Sequence, residues 1–379
     1  MIMQTNFAYK YRIYPTKEQE QLLSKHFGCV RFVWNYFLNE RKEHYLKNKE
    51  EIEAKRIKGN LNYYDNAKQL TLLKREKEWL RDCNSQSLQA TLKHLDSAYK
   101  MFFRKTHAFP NFKNKDAKQS FTIPQHFKLR DNKIHFPKFN EGIKVEEHRK
   151  LEGKFVVATL SKSTTNKYYI SIIVEKEIEP SLGTNKSIGI DLGIKDLIIC
   201  SDGVKYQNIR PLSSLENKLK YKQKQLSKKA KGSSNRKKAK HKVSIVHERI
   251  KNSRSDHIHK ITKAIISENQ VIIAEDLHVK GMMRNHKLAK AISDVAWHEI
   301  HRQLEYKSKW KGRTYNIIDR FFPSSKMCSS CHFVNDGITL KDRVWDCPNC
   351  DTKLDRDLNA SINILNQGLN NLQAVGAIV

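Results

Sequence analysis

The sequence has no run of about eighteen consecutive apolar residues, the least that a membrane-spanning helix requires. Its N-terminus also lacks the apolar core of a signal peptide. With a mean hydropathy of −0.69, these absences predict a cytoplasmic chain with no membrane partner. Acidic residues are scarce: 40 Asp and Glu stand against 71 Lys and Arg, a formal net charge of +31. A surplus of that size on a water-soluble chain calls for a polyanion, although charge alone separates neither DNA from RNA nor either from an anionic surface. Cysteine is sparse too. Four of the seven lie in one short stretch, and Cys29, Cys83 and Cys200 stand apart in apolar surroundings, as buried packing thiols do. No internal repeat is visible.

The four clustered cysteines form Cys328-x-x-Cys331 and Cys347-x-x-Cys350, with fifteen residues between the pairs. Each Cys-x-x-Cys turn offers two sulfurs to one ion, so two turns at this separation complete the tetrahedral donor set of one structural Zn²⁺. Two disulfides would need an oxidising compartment, and catalytic dithiols do not come as two matched turns.

Three acids stand where an isolated charge is costly. Asp191 ends the apolar run of Ser187-Ile-Gly-Ile-Asp-Leu-Gly-Ile-Lys195, with Gly189 and Gly193 clearing space on either side of it, and Glu275 ends Val271-Ile-Ile-Ala-Glu275. A carboxylate closing a buried strand costs several kcal/mol unless paired, and several of them repel one another unless cations intervene. Mg²⁺ takes carboxylate oxygens while leaving positions for phosphate and water, as phosphodiester hydrolysis with two metal ions requires. Asp355-Arg-Asp357 alone reads equally well as a helix N-cap with a surface ion pair.

The Gly-Ile-Asp-Leu-Gly-Ile and Ile-Ala-Glu-Asp-Leu strands, the Pro323-Ser-Ser-Lys-x-Cys-Ser-x-Cys331 entry and Asp355-Arg-Asp-Leu-Asn-Ala-Ser361 together resemble TnpB, the family of RNA-guided nucleases carried by IS200/IS605-type insertion sequences. Tyr11-Arg-Ile-Tyr-Pro-Thr-Lys-Glu-Gln19 and Phe109-Pro-Asn-Phe-Lys113 match the same family, so the resemblance covers nearly the whole chain. It departs in carrying His332 and Asp351 where the family commonly has Gly after the second Cys of a turn. The resemblance implies that Asp191, Glu275 and Asp357 are RuvC-type catalytic acids holding two Mg²⁺ ions. One ion would activate water and the other stabilise the leaving 3′-oxygen. It also implies a guide RNA derived from the transposon end, a double-stranded DNA target read beside a short flanking motif, a nucleoid-associated prokaryotic setting, and a separate tyrosine transposase for strand transfer. Residues two apart on a helix point about 200° away from each other, so Asp355 and Asp357 cannot face the same ions. Motif position assigns Asp357 to metal and leaves Asp355 to cap the helix or pair with a base.

Along the chain, residues 3–14 alternate as a strand, Pro15 stops it, and Thr16 with Gln19 forms a capping box. Leu22, Leu23, Phe27, Val30, Trp34 and Phe37 then recur at helical spacing as a core stripe. Helices are expected over 66–80 and 85–105. Residues 118–178 read as antiparallel sheet, with turns at Asp131-Asn132 and Thr165-Asn166. Pro180 and Gly183 mark a boundary, and Asp202-Gly203 signals a hairpin. Two helices over 215–268 flank the Gly232-Ser-Ser-Asn235 break. A strand at 271–275, a helix at 286–311, a strand at 315–319 and a helix starting at Asp357 follow, while 366–379 reads as a short tail. The fold class is therefore α+β multidomain. The resemblance implies a wedge β-barrel (1–16 and 106–182) with a helical recognition insertion (17–105), then an RNase H-like RuvC domain (183–322 and 352–379) with a zinc-ribbon insert (323–351).

Candidate nucleic-acid contacts are Lys10 and Arg12 on one strand face, Lys113 and Lys115 at the junction, and Lys228, Lys229, Arg236 and Lys237. The last four lie in a run, Lys218 to Lys242, that holds twelve basic residues and no acid. A solvated face normally mixes signs, so the run reads as a nucleic-acid track. Three rivals are weaker. A guided DNA-binding regulator that had lost cleavage would lack one of the three acids. A cut-and-paste transposase also uses three carboxylates, but the resemblance points away from strand transfer. A plain zinc-ribbon binder leaves the strand-borne acids unexplained.

Overall fold

A computed structural model describes residues 3–57, 59, 61–116, 118–178, 184–339 and 341–376. The chain divides into two compact units, Gln4–Glu177 and Ile178–Val379. The boundary expected at Pro180 and Gly183 lies outside the described residues.

In the first unit, β1 (Met3–Tyr14) leads into α1 (Lys17–Lys47). The capping box starts that helix as expected: Gln19 N donates to Thr16 Oγ1 at 3.3 Å, and Thr16 N donates to Gln19 Oε1 at 3.1 Å. α2 (Lys49–Glu53), α3 (Tyr63–Glu76) and α4 (Ser85–Phe103) follow. The helix expected over 66–80 starts earlier, because Asn62 caps it, and gives way to a 3₁₀ turn at Glu78–Asp82 that buries Leu80. The stripe on α1 is core: Leu23, Phe27, Val30, Trp34 and Phe37 are buried, and Trp34 Nε1 donates to the carbonyl of Asn111 at 3.0 Å.

Six further strands join β1: β2 (Gln119–Ile123), β3 (Lys128–Arg130), β4 (Lys133–Phe136), β5 (Phe139–Glu146), β6 (Lys154–Lys162) and β7 (Tyr168–Ile178). Asp131 and Asn132 both take positive φ in the turn between β3 and β4, as a tight hairpin demands. The sheet order is β2-β6-β7-β1-β5-β4-β3. Among the described residues β2 and β3 remain edges, so hydrogen bonding does not close the sheet into the expected barrel.

The second unit is built on β8 (Ser187–Asp191), β9 (Asp196–Cys200) and β10 (Lys205–Gln207). These lead through α5 (Pro211–Ser214) to a helical hairpin of α6 (Glu216–Ser227) and α7 (Ser234–Glu268). Then come β11 (Val271–Glu275), α8 (Val279–Met282), α9 (His286–Val295), α10 (Trp297–Lys311) and β12 (Thr314–Ile318). The single helix expected over 286–311 is broken at Ala296, which is left-handed (φ 56°, ψ 48°) between the buried side chains of Val295 and Trp297. The sheet order is β10-β9-β8-β11-β12: the first three strands are antiparallel, and β8, β11 and β12 are parallel.

A short hairpin, β13 (Val344–Asp346) and β14 (Lys353–Asp355), precedes α11 (Arg356–Ala374). That helix consumes most of the stretch read as a tail and packs its buried Ile364 and Leu372 with Val271 and Ile273. The opposite sheet face carries Ile188, Ile190, Ile272 and Ala274 against α7 and α10. A Cβ on Gly189 would sit 2.2 Å from the carbonyl oxygen of Ser361, so α11 approaches β8 at a distance that only glycine permits.

Candidate functional site

Side chains alternate across a strand, so residues two apart share a face. Asp191 therefore shares a face with Gly189, and Glu275 with Ile273, and that face is the one α11 covers. β8 and β11 are parallel, with Ile190 opposite Ala274, so both acids stand at the same sheet end. The carboxylates of Asp191 and Glu275 interact directly, and Glu275 Oε1 accepts the N–H of Leu192 at 3.4 Å. Burial first, and then the charges of Glu275 and Asp357, push Asp191 well above the usual carboxylate range. Burial likewise raises Glu275, against the opposing hydrogen bonds from Asp191 and Leu192. The structure thus brings together the three acids singled out in the sequence.

Asp355 and Asp357 take different parts. Asp355 is the N-cap of α11: Oδ1 accepts from Asp357 N at 3.1 Å and Leu358 N at 3.0 Å, while Oδ2 pairs with Lys205 Nζ at 3.0 Å. Partial burial opposes its ionisation, but the Leu358 amide and the Lys205 ammonium bring the carboxyl below its usual value. Asp357, two residues further on and in the first turn of α11, faces Asp191 and is paired with two arginines. Arg356 Nη2 reaches Oδ1 at 2.9 Å and Arg343 Nη1 reaches Oδ2 at 2.7 Å. Three carboxylates are hard oxygen donors, and the burial and neighbouring negative charge that oppose ionisation of Asp191 are what a divalent cation would offset.

The knuckle is a second donor set of different chemistry. The four sulfurs lie within 4.8 Å of one another, with Cys331 and Cys347 3.5 Å apart and Cys328 and Cys350 3.7 Å apart. A tetrahedron with Zn–S bonds of about 2.3 Å spaces its sulfurs at about 3.8 Å, so one Zn²⁺ fits the cluster. Hydrogen bonds from Asn349 and the Phe333 amide draw the Cys331 thiol down to about 6. His332 and Asp351, the departures from the family pattern, both have left-handed backbone (φ 62° and 56°). Glycine is easiest at such positions, and His and Asp are among the residues that tolerate them. Buried Asn359 and Asn363 on α11 bind the knuckle entry. Asn359 accepts from Ser329 N at 2.8 Å and donates to the Met327 carbonyl at 2.7 Å, and Asn363 donates to Ser324 and Met327 carbonyls. The sequence motif contains Asn359 but gives neither residue this role, whose signal is a polar pair on the buried stripe of an amphipathic helix.

The basic candidates do not form one set. Lys10 and Arg12 lie over the Tyr169 ring, at 4.3 and 5.2 Å from its centre. Lys113 Nζ lies 3.7 Å over Trp34, and burial of that ammonium lowers it to about 8 even though the residue as a whole is exposed. Lys115 is exposed, and its carbonyl accepts from Gln119 Nε2. Lys228 and Lys237 are exposed, and Lys229 lines a groove of about 390 Å³ with Tyr221, Lys222, Lys238 and Lys242. Arg236 is turned inward, donating to the Leu226 and Lys229 carbonyls at 3.1 and 2.8 Å, so it stitches α6 to α7. Cys29, Cys83 and Cys200 are buried as expected, but Cys29 and Cys83 are side-chain neighbours rather than isolated thiols.

Three comparisons bear on this arrangement. The OrfB IS605 family model, described as "Probable transposase", matches residues 170–286. A Cas12f1-like TNB domain model matches 297–364, and a helix-turn-helix model matches 1–50, where the structure has a strand and one long helix instead. A Streptomyces pristinaespiralis protein named "Putative RNA-guided DNA endonuclease" is 38% identical over 97% of this chain and 91% of its own length. Escherichia coli K12 InsQ, given the same description, is 31% identical over 95% and 92%. Among solved structures, a chain of the Cas12f1–sgRNA–target DNA complex aligns with a TM-score of 0.56 at 14% identity, covering 95% of this chain and 98% of that one, a likeness of fold. Among the described residues no helix is long and apolar enough to cross a membrane. By identity and coverage, and by the motifs that meet around α11, the chain belongs to the TnpB-type, OrfB IS605 family.

Proposed function

We propose that this protein is an RNA-guided DNA endonuclease of a transposable element, cleaving double-stranded DNA at a RuvC-type site formed by Asp191, Glu275 and Asp357. The observation that carries this reading is the meeting of three carboxylates, from residues 191, 275 and 357, at one end of one sheet. The order β10-β9-β8-β11-β12, with its antiparallel first half and parallel second half, supports an RNase H-like reading of that unit. The seven-stranded sheet and α1–α4 would be the wedge and recognition parts, and the cysteine knuckle the zinc ribbon.

Divalent cations bound by the three acids would activate water and stabilise the leaving 3′-oxygen. The chain's own contribution is to hold those acids on rigid strand ends and a helix start. Glu275 is oriented by the Leu192 amide, Asp357 by Arg356, and the start of α11 by the Asp355 cap. No protein nucleophile is required. The groove lined by Lys222, Lys229, Lys238 and Lys242, with exposed Tyr221, suits a phosphate backbone and a stacked base. Strand transfer would fall to a separate tyrosine transposase.

The test is to express the protein from its own locus, sequence the RNA that co-purifies, and challenge the complex with DNA matching the variable end of that RNA. A defined RNA directing Mg²⁺-dependent cuts in matched DNA only is expected. Cleavage that is indifferent to the RNA, or no bound RNA, overturns the guided reading.

A further inference from the structure

Arg343 belongs to none of the motifs, yet the fold brings it to the acid cluster. It immediately precedes β13, in which Val344 pairs with Asp355, and its carbonyl accepts the N–H of Arg356 at 2.9 Å. β13, the first strand of the knuckle hairpin, therefore sets Arg343 in register with Asp355-Arg356-Asp357, and the Arg343 guanidinium donates to Asp357 Oδ2 at 2.7 Å.

The two arginines on Asp357 are unlike. Arg356 is 11% exposed in its side chain and is also held by the Thr339 carbonyl, so it is part of the wall. Arg343 is 59% exposed and pairs with the other oxygen, Oδ2. A divalent cation approaching Oδ2 meets an oxygen already accepting a charged hydrogen bond, and a positive charge beside it.

We propose that Arg343 is an exchangeable counter-ion of Asp357. It competes with divalent cations for Oδ2, and the knuckle strand, by fixing its register, sets the cation affinity of the cluster. This rests on the reading of Asp357 as a metal ligand. Arg343 is on this account a positioning residue, and the sign of its effect distinguishes it from a scaffold: removing a competitor tightens metal binding, whereas disturbing a scaffold loosens it.

The experiment is a Mn²⁺ titration of the full chain with its co-purified RNA, counting free Mn²⁺ by electron paramagnetic resonance and zinc by elemental analysis. Arg343→Gln is expected to bind Mn²⁺ about two- to fivefold more tightly, the range open to one exposed ion pair, with zinc retained. Arg343→Lys should stay near the parent. Lys205→Gln, which removes a cation paired with Asp355 instead, should shift less than Arg343→Gln. Unchanged or weaker binding in zinc-replete Arg343→Gln, or an equal shift in Lys205→Gln, overturns the proposal. If Arg343→Gln loses zinc, the unmutated protein decides by ¹⁵N spectra of its arginine side chains. Mg²⁺ should release the hindered Arg343 guanidinium, and a guanidinium unchanged at saturating Mg²⁺ overturns the proposal. If the parent shows no Mn²⁺ site that Asp357→Ala removes, the reading of Asp357 fails, and that outcome is distinct from the others.

Discussion

The cysteine knuckle and the acid cluster are both places where like side chains gather, and they are built in opposite ways. The knuckle draws its four ligands from 23 consecutive residues, Cys328 to Cys350, and its sulfurs already stand at tetrahedral spacing. The acid cluster draws three carboxylates from residues 191, 275 and 357, and burial with the charges of Glu275 and Asp357 raises Asp191. Soft ligands close together in sequence make a local fold that one ion completes. Carboxylates held by a sheet and a helix make a cluster balanced in the structure by arginines and, on the proposed reading, by cations as well. The two meet through α11: Asn359 and Asn363 bind the knuckle on the same helix whose first turn carries Asp357.

Cys347→Ser should break this comparison most severely. Structural zinc contributes about 10–16 kcal/mol of local folding free energy in small modules. The variant should lose zinc and protection of residues 326–353 in hydrogen exchange, and cleavage should fall because the entry to α11, held to the knuckle by Asn359 and Asn363, loses its support. The Gln4–Glu177 unit should keep its protection. Retained zinc or an unprotected first unit would show that the knuckle is not the separate module described.

Gly189→Ala strikes the other arrangement. Its Cβ would overlap the Ser361 carbonyl and the Leu365 backbone, so α11 must move, at a cost of about 1–3 kcal/mol for an overpacked interface. Thermal stability and cleavage should both fall, while zinc stays bound. Unaltered cleavage with lowered stability would mean that the position of Asp357 tolerates a displaced helix.

A smaller effect separates the sites by pH. Asp191 and Glu275 have raised folded-state pKa values, so between the usual carboxylate range and those raised values the folded chain holds more protons than the unfolded chain. Their contribution to stability therefore falls as pH rises through that window. Cations bind the ionised form, so Mg²⁺ should raise the melting temperature by a few degrees at pH 8 and much less at pH 5. Asp191→Asn should flatten the difference, and zinc content should not follow it. Equal Mg²⁺ shifts at both pH values would detach the acids from the metal.

The sequence disclosed these sites unequally, for physical reasons. Paired Cys-x-x-Cys turns have one economical explanation, and a charge ending an apolar strand is conspicuous because burial penalises it. Alternation and capping likewise placed most strands and the start of α1. The inward role of Arg236 was hidden, since an arginine in a basic run looks the same whether it meets phosphate or caps the preceding helix. The break at Ala296 carries no glycine or proline; it is imposed by packing Val295 and Trp297. Arg343 was invisible because its importance comes from strand register inside an insert. Alternation placed the strands of the seven-stranded sheet but not their pairing order, because it says nothing of which edges meet.

The central claim is that Asp357 binds the catalytic cations while Asp355 serves the helix. The direct measurement compares guided double-stranded DNA cleavage and target binding in Asp357→Ala and Asp355→Ala, side by side with the parent. Asp357→Ala should lose cleavage by a factor on the order of 10³ or more, as expected for removing a preorganised charge from a catalytic centre, with RNA and target binding nearly intact. Asp355→Ala, losing a cap worth about 1 kcal/mol, should still cut measurably. An active Asp357→Ala beside a dead Asp355→Ala would reverse the assignment and contradict the account.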